Sequence, residues 1–215
     1  MAQPAETGFL LSNGTQIIHG NGSIIRRAYP PETNLPGILE IFSLGHDKDA
    51  TCPSFCGANG LFQFDTTCRM PRHVHMSPLG DGPELGYVVE KIIVLNGVAI
   101  AELEGEIYVV PPKTAVLIGR GVPHTWVAAP PGLDLHALGV ADESVISDGQ
   151  FLAVFEYEKA TTFYPTNQTH VLKEEKEYVR CDDLHSIRIK EMDEEYLKQN
   201  AYFVWGKSFR KLNPH

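Results

Sequence analysis

The stretch CRMPRHVHM, residues 68–76, decides how this 215-residue chain is read. It places His73 and His75 two positions apart behind a proline and an arginine. In an extended strand residues i and i+2 point to the same face, so the two imidazoles stand side by side. Two neutral imidazoles on one face are half of a metal site, although any strand can also turn two histidines toward water. The other half of a coordination sphere has to come from elsewhere in the chain.

The segments around this stretch read as short strands bounded by glycine or proline. They are 37–44, 60–65, 87–95, 98–103, 106–110, 115–118, 125–129, 133–138 (LDLHAL) and 150–157. Each is rich in Val, Ile, Phe or Tyr and is punctuated by turn residues such as Asn96-Gly97 and Pro130-Pro131-Gly132. Nine strands at this spacing predict an all-β sandwich or barrel over residues 37–165. Residues 1–36, with strand character only at 15–18 and 23–25, read as an extension packed on that unit. Residues 166–215 read as a charged appendage of short helices, with LKEEKEYVR (172–180) a solvated helical face and Asp193 the N-cap of a helix in EMDEEYLKQN (191–200). No period of 20 to 50 residues repeats, which excludes solenoids and propellers.

Composition narrows the partners. With 27 acidic against 18 basic residues and a formal charge of −9, the chain lacks the concentrated lysine and arginine that phosphate backbones or an anionic membrane require. Its longest apolar runs are far too short to cross a bilayer. The first residues, MAQPAE, have neither the basic start nor the apolar stretch of a secretory signal, so a cytoplasmic location with reduced cysteines is expected. The Cys52-x3-Cys56 pair has no second pair to complete a structural zinc site, and the sequons at Asn13, Asn21 and Asn167 are read as chance matches.

The chain continues past His75 with Glu90, then six residues to Gly97, and later GRGVPHTW, which carries His124 and Trp126. This pattern resembles the cupin family: H-x-H, a glutamate, six residues and a glycine, then a second motif ending in P-x-G-x-x-H. The resemblance spans about residues 60–129 and extends more weakly to Tyr157. It implies a jelly-roll-like cupin β-barrel in which His73, His75, Glu90 and His124 meet at one divalent metal ion. Three imidazoles and a carboxylate suit Fe(II), the favoured ion, with Mn, Ni, Co and Zn as alternatives, and leave a coordination position open for substrate. The chain departs from the pattern in three places. Fourteen residues, Met76 to Val89, separate His75 from Glu90 where cupins have three or four, which reads as an inserted loop from Ser77 to Glu84 and makes Glu84 a competing ligand. Glu90 is preferred because it alone has the glycine at the family's offset. The P-G-D turn is Pro112-Lys113-Thr114, and the proline of P-x-G is Gly119.

Other residues carry open alternatives. Arg69 would share the His73 face if the strand ran unbroken through Pro71, as an anchor for a substrate carboxylate or phenolate or else as a surface ion pair. Trp126, two residues beyond His124, either lines a pocket or fills the core. Gln63, Tyr87, His136 and Phe155 are further pocket candidates, while His19, His46, His170, His185 and His215 read as solvated. Family membership does not fix activity. The resemblance implies a non-haem dioxygenase acting on a small phenolic, enol or carbonyl-containing metabolite, with Glu90 and Arg69 as catalytic groups. Its alternatives are an oxygen-independent Lewis-acid decarboxylase, isomerase or cyclase, and a non-enzymatic metal- or ligand-binding protein. It also implies a homodimer.

Overall fold

The computed structural model describes residues 3–4, 8–19, 24–25, 42–43 and 56–213. The expected strand 37–44 lies outside these except for residues 42–43, as do Cys52, His46 and His215. Within the described residues the chain is mostly β. Seven strands form one sheet in the order β1 (Gln3–Pro4), β2 (Phe9–Leu10), β3 (Gln16–His19), β12 (Thr114–Ile118), β9 (Glu90–Gly97), β14 (Gln150–Tyr157) and β6 (Asn59–Asp65). The second sheet runs β15 (Thr162–Pro165), β7 (His73–Pro78), β13 (His124–Ala128), β10 (Ala99–Leu103), β11 (Glu106–Val110), β16 (Tyr202–Trp205) and β17 (Ser208–Lys211), with β8 (Leu85–Tyr87) paired to β7. A small ladder joins β4 (Ile24–Ile25) to β5 (Phe42–Ser43).

The expectation of all-β structure holds. Among the described residues the expected closed barrel is not seen: β6 is an edge of its sheet, no ladder joins it to β7, and both main sheets stay open. Between the sheets lies a core that includes Ile92, Val94, Val116, Ile118, Trp126, Phe151 and Ala153. Strand β9 shows the pattern that builds it. Its inward row is Glu90, Ile92 and Val94, while Lys91, Ile93 and Leu95 face outward to different degrees. A carboxylate at the end of an otherwise apolar inward row is the first structural sign of chemistry.

Strands β10, β11, β13 and β16 are buried along nearly their whole length because both of their faces are covered. Their outer faces pack on a second core containing Leu133, Leu135, Ile189, Met192 and Leu197. This explains two corrections. LDLHAL, expected as a strand, is a series of turns whose Leu133 and Leu135 plug that second core; a two-residue alternation of leucines imitated a strand. The C-terminal segment contains α1 (Glu194–Asn200), capped as expected by Asp193, whose carboxylate accepts from the Tyr196 N–H at 2.8 Å. Residues 172–180, however, hold only a single 3₁₀ turn at Glu175–Glu177, and β16 and β17 extend the second sheet, β16 running parallel to β11.

The insertion after His75 is a hairpin. Strand β7 runs to Pro78, the chain turns over residues 79–84, and β8 returns antiparallel with Tyr87 opposite Met76. His19, expected in solvent, is buried on β3, its ring 4.5 Å from that of Trp205. No described helix is long and apolar enough to cross a membrane.

Candidate metal centre

Two local devices bring four side chains together. Glu90 opens β9 opposite Ile118 on one side and Tyr157 on the other. Gly97, at the far end of that strand, has φ 72°, and a Cβ there would come within 2.0 Å of the Gln150 carbonyl, so only glycine lets β14 approach and hold the register. His124 opens β13 after a turn in which Gly121 has φ 70°, and a Cβ there would stand 1.8 Å from the Leu172 carbonyl. His124 faces His73 across the β7–β13 ladder. His73 and His75 share the inward face of β7, while Val74 and Met76 on the other face pack with Tyr87 and Leu172.

The four residues are buried, and their ligand atoms all lie within 4.8 Å of one another. That spread is close to the roughly 4 Å across the coordination sphere of a first-row divalent ion. Glu90 Oε2 is 2.9 Å from His124 Nε2 and 3.3 Å from His75 Nε2. Each ring is turned by its backbone neighbour: His73 Nδ1 is 2.9 Å from the Pro71 carbonyl, His75 Nδ1 is 3.0 Å from that of Thr162, and His124 Nδ1 is 2.9 Å from that of Val122. A carbonyl only accepts, so each Nδ1 carries the proton and each neutral Nε2 presents a lone pair to the cluster. Accordingly Glu90 Oε2, His75 Nε2 and His124 Nε2 are buried with no hydrogen-bond partner. Lone pairs packed this closely away from water call for a cation between them, and nitrogen and carboxylate donors of this kind fit a transition metal.

The electrostatics agree. Burial, then the neighbouring His124 and His75, hold His73 well below the usual imidazole range. Burial alone would raise the Glu90 carboxyl, but positive charge at the His75 and His124 rings, when they are protonated, outweighs it and holds the group well below the usual carboxylate range, as a cation held between them would. Metal binding thus finds a carboxylate already ionised.

The centre lies in the wall of a cavity of about 320 Å³, lined among others by Phe62, Phe64, Trp126, Phe155, Tyr157 and Phe163. Of the pocket residues expected from sequence, Trp126 and Phe155 line it. Gln63 does not: it faces solvent and pairs with Gln150 at 2.6 Å. Tyr87 is buried on the outer side of β7, its hydroxyl donating to the Glu174 carbonyl at 3.3 Å. His136 sits exposed on a turn, its ring held to the Ala141 carbonyl at 3.1 Å. Arg69 lies in the loop before β7, which starts only at His73, and does not line the cavity. Glu84 is exposed in the hairpin turn, so Glu90 is the carboxylate of the cluster.

Sequence reasoning missed Tyr157, whose ring lies 4.6 Å from His75 and whose phenol lies within the influence of the Glu90 charge. Burial first, and the Glu90 charge second, push its phenol above the usual range. The signal was available: Tyr157 is two residues past Phe155 on the same strand, hence on the same inward row. Compared with protein-family models and with curated proteins, the chain matches none.

Proposed function

We propose that this chain is a cupin-type, metal-dependent enzyme acting on a small, flat organic molecule bearing an enol, phenol or carbonyl oxygen, and that it works as a non-haem dioxygenase. One observation carries the reading: a cluster of buried, unpartnered lone pairs opens onto a cavity whose walls are mostly aromatic. Ligand pockets combine such apolar walls with a few convergent polar groups. A bound divalent ion, Fe(II) favoured over Mn, Ni, Co or Zn, would supply Lewis acidity and, as iron, access to dioxygen.

The chain's own residues do the rest. The Pro71, Thr162 and Val122 carbonyls hold the three rings with Nε2 inward. Phe62, Phe64, Trp126 and Phe155 give a planar substrate ring surfaces to lie against and exclude water. Thr161 and Thr162 bring polar groups to the cavity. Tyr157 keeps its proton beside Glu90 and steadies that carboxylate. The resemblance adds a homodimer, and the acidic composition and the character of the first residues add a cytoplasmic location with a small molecule as partner and neither nucleic acid nor membrane.

A second reading draws on Tyr157. A protonated phenol at the cavity wall is a proton donor that an oxygen-independent decarboxylase, isomerase or cyclase would use. Metal analysis of the purified protein, followed by turnover of diketones and hydroxyaryl ketones in air and in an anaerobic chamber, separates the readings. Oxygen uptake in step with substrate loss, absent without oxygen, is the expected result. Equal conversion without oxygen moves the assignment to Lewis-acid chemistry. A metal-loaded protein that binds these compounds and converts none is a non-enzymatic binder.

A further inference from the structure

One buried polar group of the aromatic cavity has no use in holding a cation. The indole of Trp126 is 2% exposed and lines the cavity, and its Nε1–H has no hydrogen-bond partner among the described residues. An indole N–H only donates, so it cannot serve a metal ion as the histidine Nε2 atoms do. A buried donor without a partner costs free energy and needs a reason. The chain's other tryptophan shows the ordinary solution: Trp205 Nε1 donates to Asp142 Oδ1 at 2.7 Å.

The surroundings leave one direction from which a partner can come. Trp126 shares the inward row of β13 with His124, while Val127 between the sheets' faces turns to the second core. Phe62, Phe64, Ile92 and Phe155, which line the cavity with Trp126, carry no acceptor. Phe151 stands beside the indole with centroids 6.3 Å apart, but the two planes meet at only 36°. An N–H aimed at a ring face lies in its own indole plane and needs the planes near perpendicular. An acceptor therefore has to arrive through the cavity. Neither lysine nor arginine lines that cavity among the described residues, so a charged acceptor would stand there without a counter-charge.

We propose that Trp126 determines specificity: its Nε1–H donates to an uncharged oxygen at the far end of the substrate. The inference rests on the metal-dependent reading of the cavity and deepens it. Two residues of strand span about 6.6 Å, so an oxygen bonded to Trp126 stands roughly a ring's width beyond the cluster that His124 joins. The oxygens that bind the ion stay at the cluster, so this acceptor is a separate one. The substrate is thereby an enol or phenol whose ring carries a further carbonyl or ether oxygen on its opposite side. A site that holds a buried donor for such an oxygen rejects the analogue that lacks it, because the donor is then left unpaired.

The test uses two probes of one shape, para-methoxybenzoylacetone and para-ethylbenzoylacetone. Both carry a diketone for the metal and a ring for the walls, and they differ by an ether oxygen in place of a methylene. Each is titrated into the full-length protein loaded with diamagnetic zinc, and the indole N–H signals of its two tryptophans are followed by NMR. The methoxy probe is expected to move the Trp126 signal downfield, to leave that of Trp205 in place, and to bind at least about fivefold more tightly than the ethyl probe. Trp126→Phe is expected to erase this preference and to leave the affinity of the ethyl probe within about twofold. The wild-type signals decide the question even where the variant misfolds. Equal affinities with the Trp126 signal unmoved would overturn the inference and leave the metal reading standing. Binding of neither probe to the metal-loaded protein would overturn both.

Discussion

Four histidines are buried among the described residues, and their backbone partners sort them into two kinds. At the candidate metal centre Nδ1 of His73, His75 and His124 faces a carbonyl and must donate. On β3 the Nδ1 of His19 accepts the Gly206 N–H at 3.1 Å, which puts the neutral ring's proton on Nε2. Burial is the same in both places, between 1% and 5% exposure. The lone pair, however, is aimed in opposite senses: into a shared cluster in one region, into the chain's own backbone in the other. A buried histidine is therefore a ligand candidate only when its second nitrogen is held by an acceptor and its lone pair converges with others.

The strongest way to break that contrast is to delete one ligand from each group. His75→Ala is expected to reduce bound metal from about one ion per chain to a trace and to abolish turnover, with the circular dichroism of the β sheets kept. Because three ligands come from one sheet and Glu90 from the other, added metal should raise the melting temperature of the wild type and leave that of His75→Ala unmoved. Retained stoichiometric metal in the variant would contradict the ligand set.

His19 should answer to pH instead of to metal. Burial first, and the Lys113 charge second, lower its pKa from 6.5 to about 4. The folded value is depressed, so the unfolded chain binds a proton more readily between these limits. Stability from this group is complete above pH 6.5 and is lost as pH falls toward 4. At 1.36 kcal/mol per unit the loss amounts to about 3 kcal/mol. His19→Gln keeps an acceptor for Gly206 and removes the titration, so the difference in stability between the two proteins, followed by urea unfolding, should change by that amount between pH 6.5 and pH 4. Identical slopes would mean that the ring is solvated, as its sequence context suggested.

That mistaken expectation shows where the sequence was legible. Ligand type and strand spacing were readable because the inward row of a strand repeats every two residues: His73 with His75, Glu90 with Ile92 and Val94. What sequence could not supply was the covering of outer faces. Leu133 and Leu135 look like strand residues until the second core gives them a destination, and β16 and β17 look like a tail until β11 offers an edge to pair with. His19 was misread for the same reason, since Trp205 and Gly206, which bury and bind it, lie far along the chain. Arg69 was misplaced because Pro71 sits just before the start of β7, so the face it was to share does not exist.

The next effect is smaller and tests the support of the centre. Tyr157→Phe removes the hydroxyl beside Glu90 while keeping the ring against His75. Groups that orient a ligand typically cost 10- to 100-fold in metal affinity or activity when removed. Competition with a chelator should show a loss in that range, and restoration of full metal occupancy at saturating metal would separate positioning from misfolding. An unchanged affinity would reduce Tyr157 to a cavity wall.

The smallest expected effect is the one that fixes which carboxylate belongs to the cluster. Glu84 sits exposed in the turn of the β7–β8 hairpin, while Glu90 lies between His75 and His124. Glu84→Gln should change metal affinity by less than about twofold, since an exposed charge at that range is screened by water and salt. Glu90→Gln keeps the shape and removes the charge, and should lose most of the metal. The pair of variants differs by one charge at two positions only six residues apart, so a reversed outcome could be explained only by β9 entering the sheet in a different register, with the inward row of Ile92 and Val94 displaced along with it.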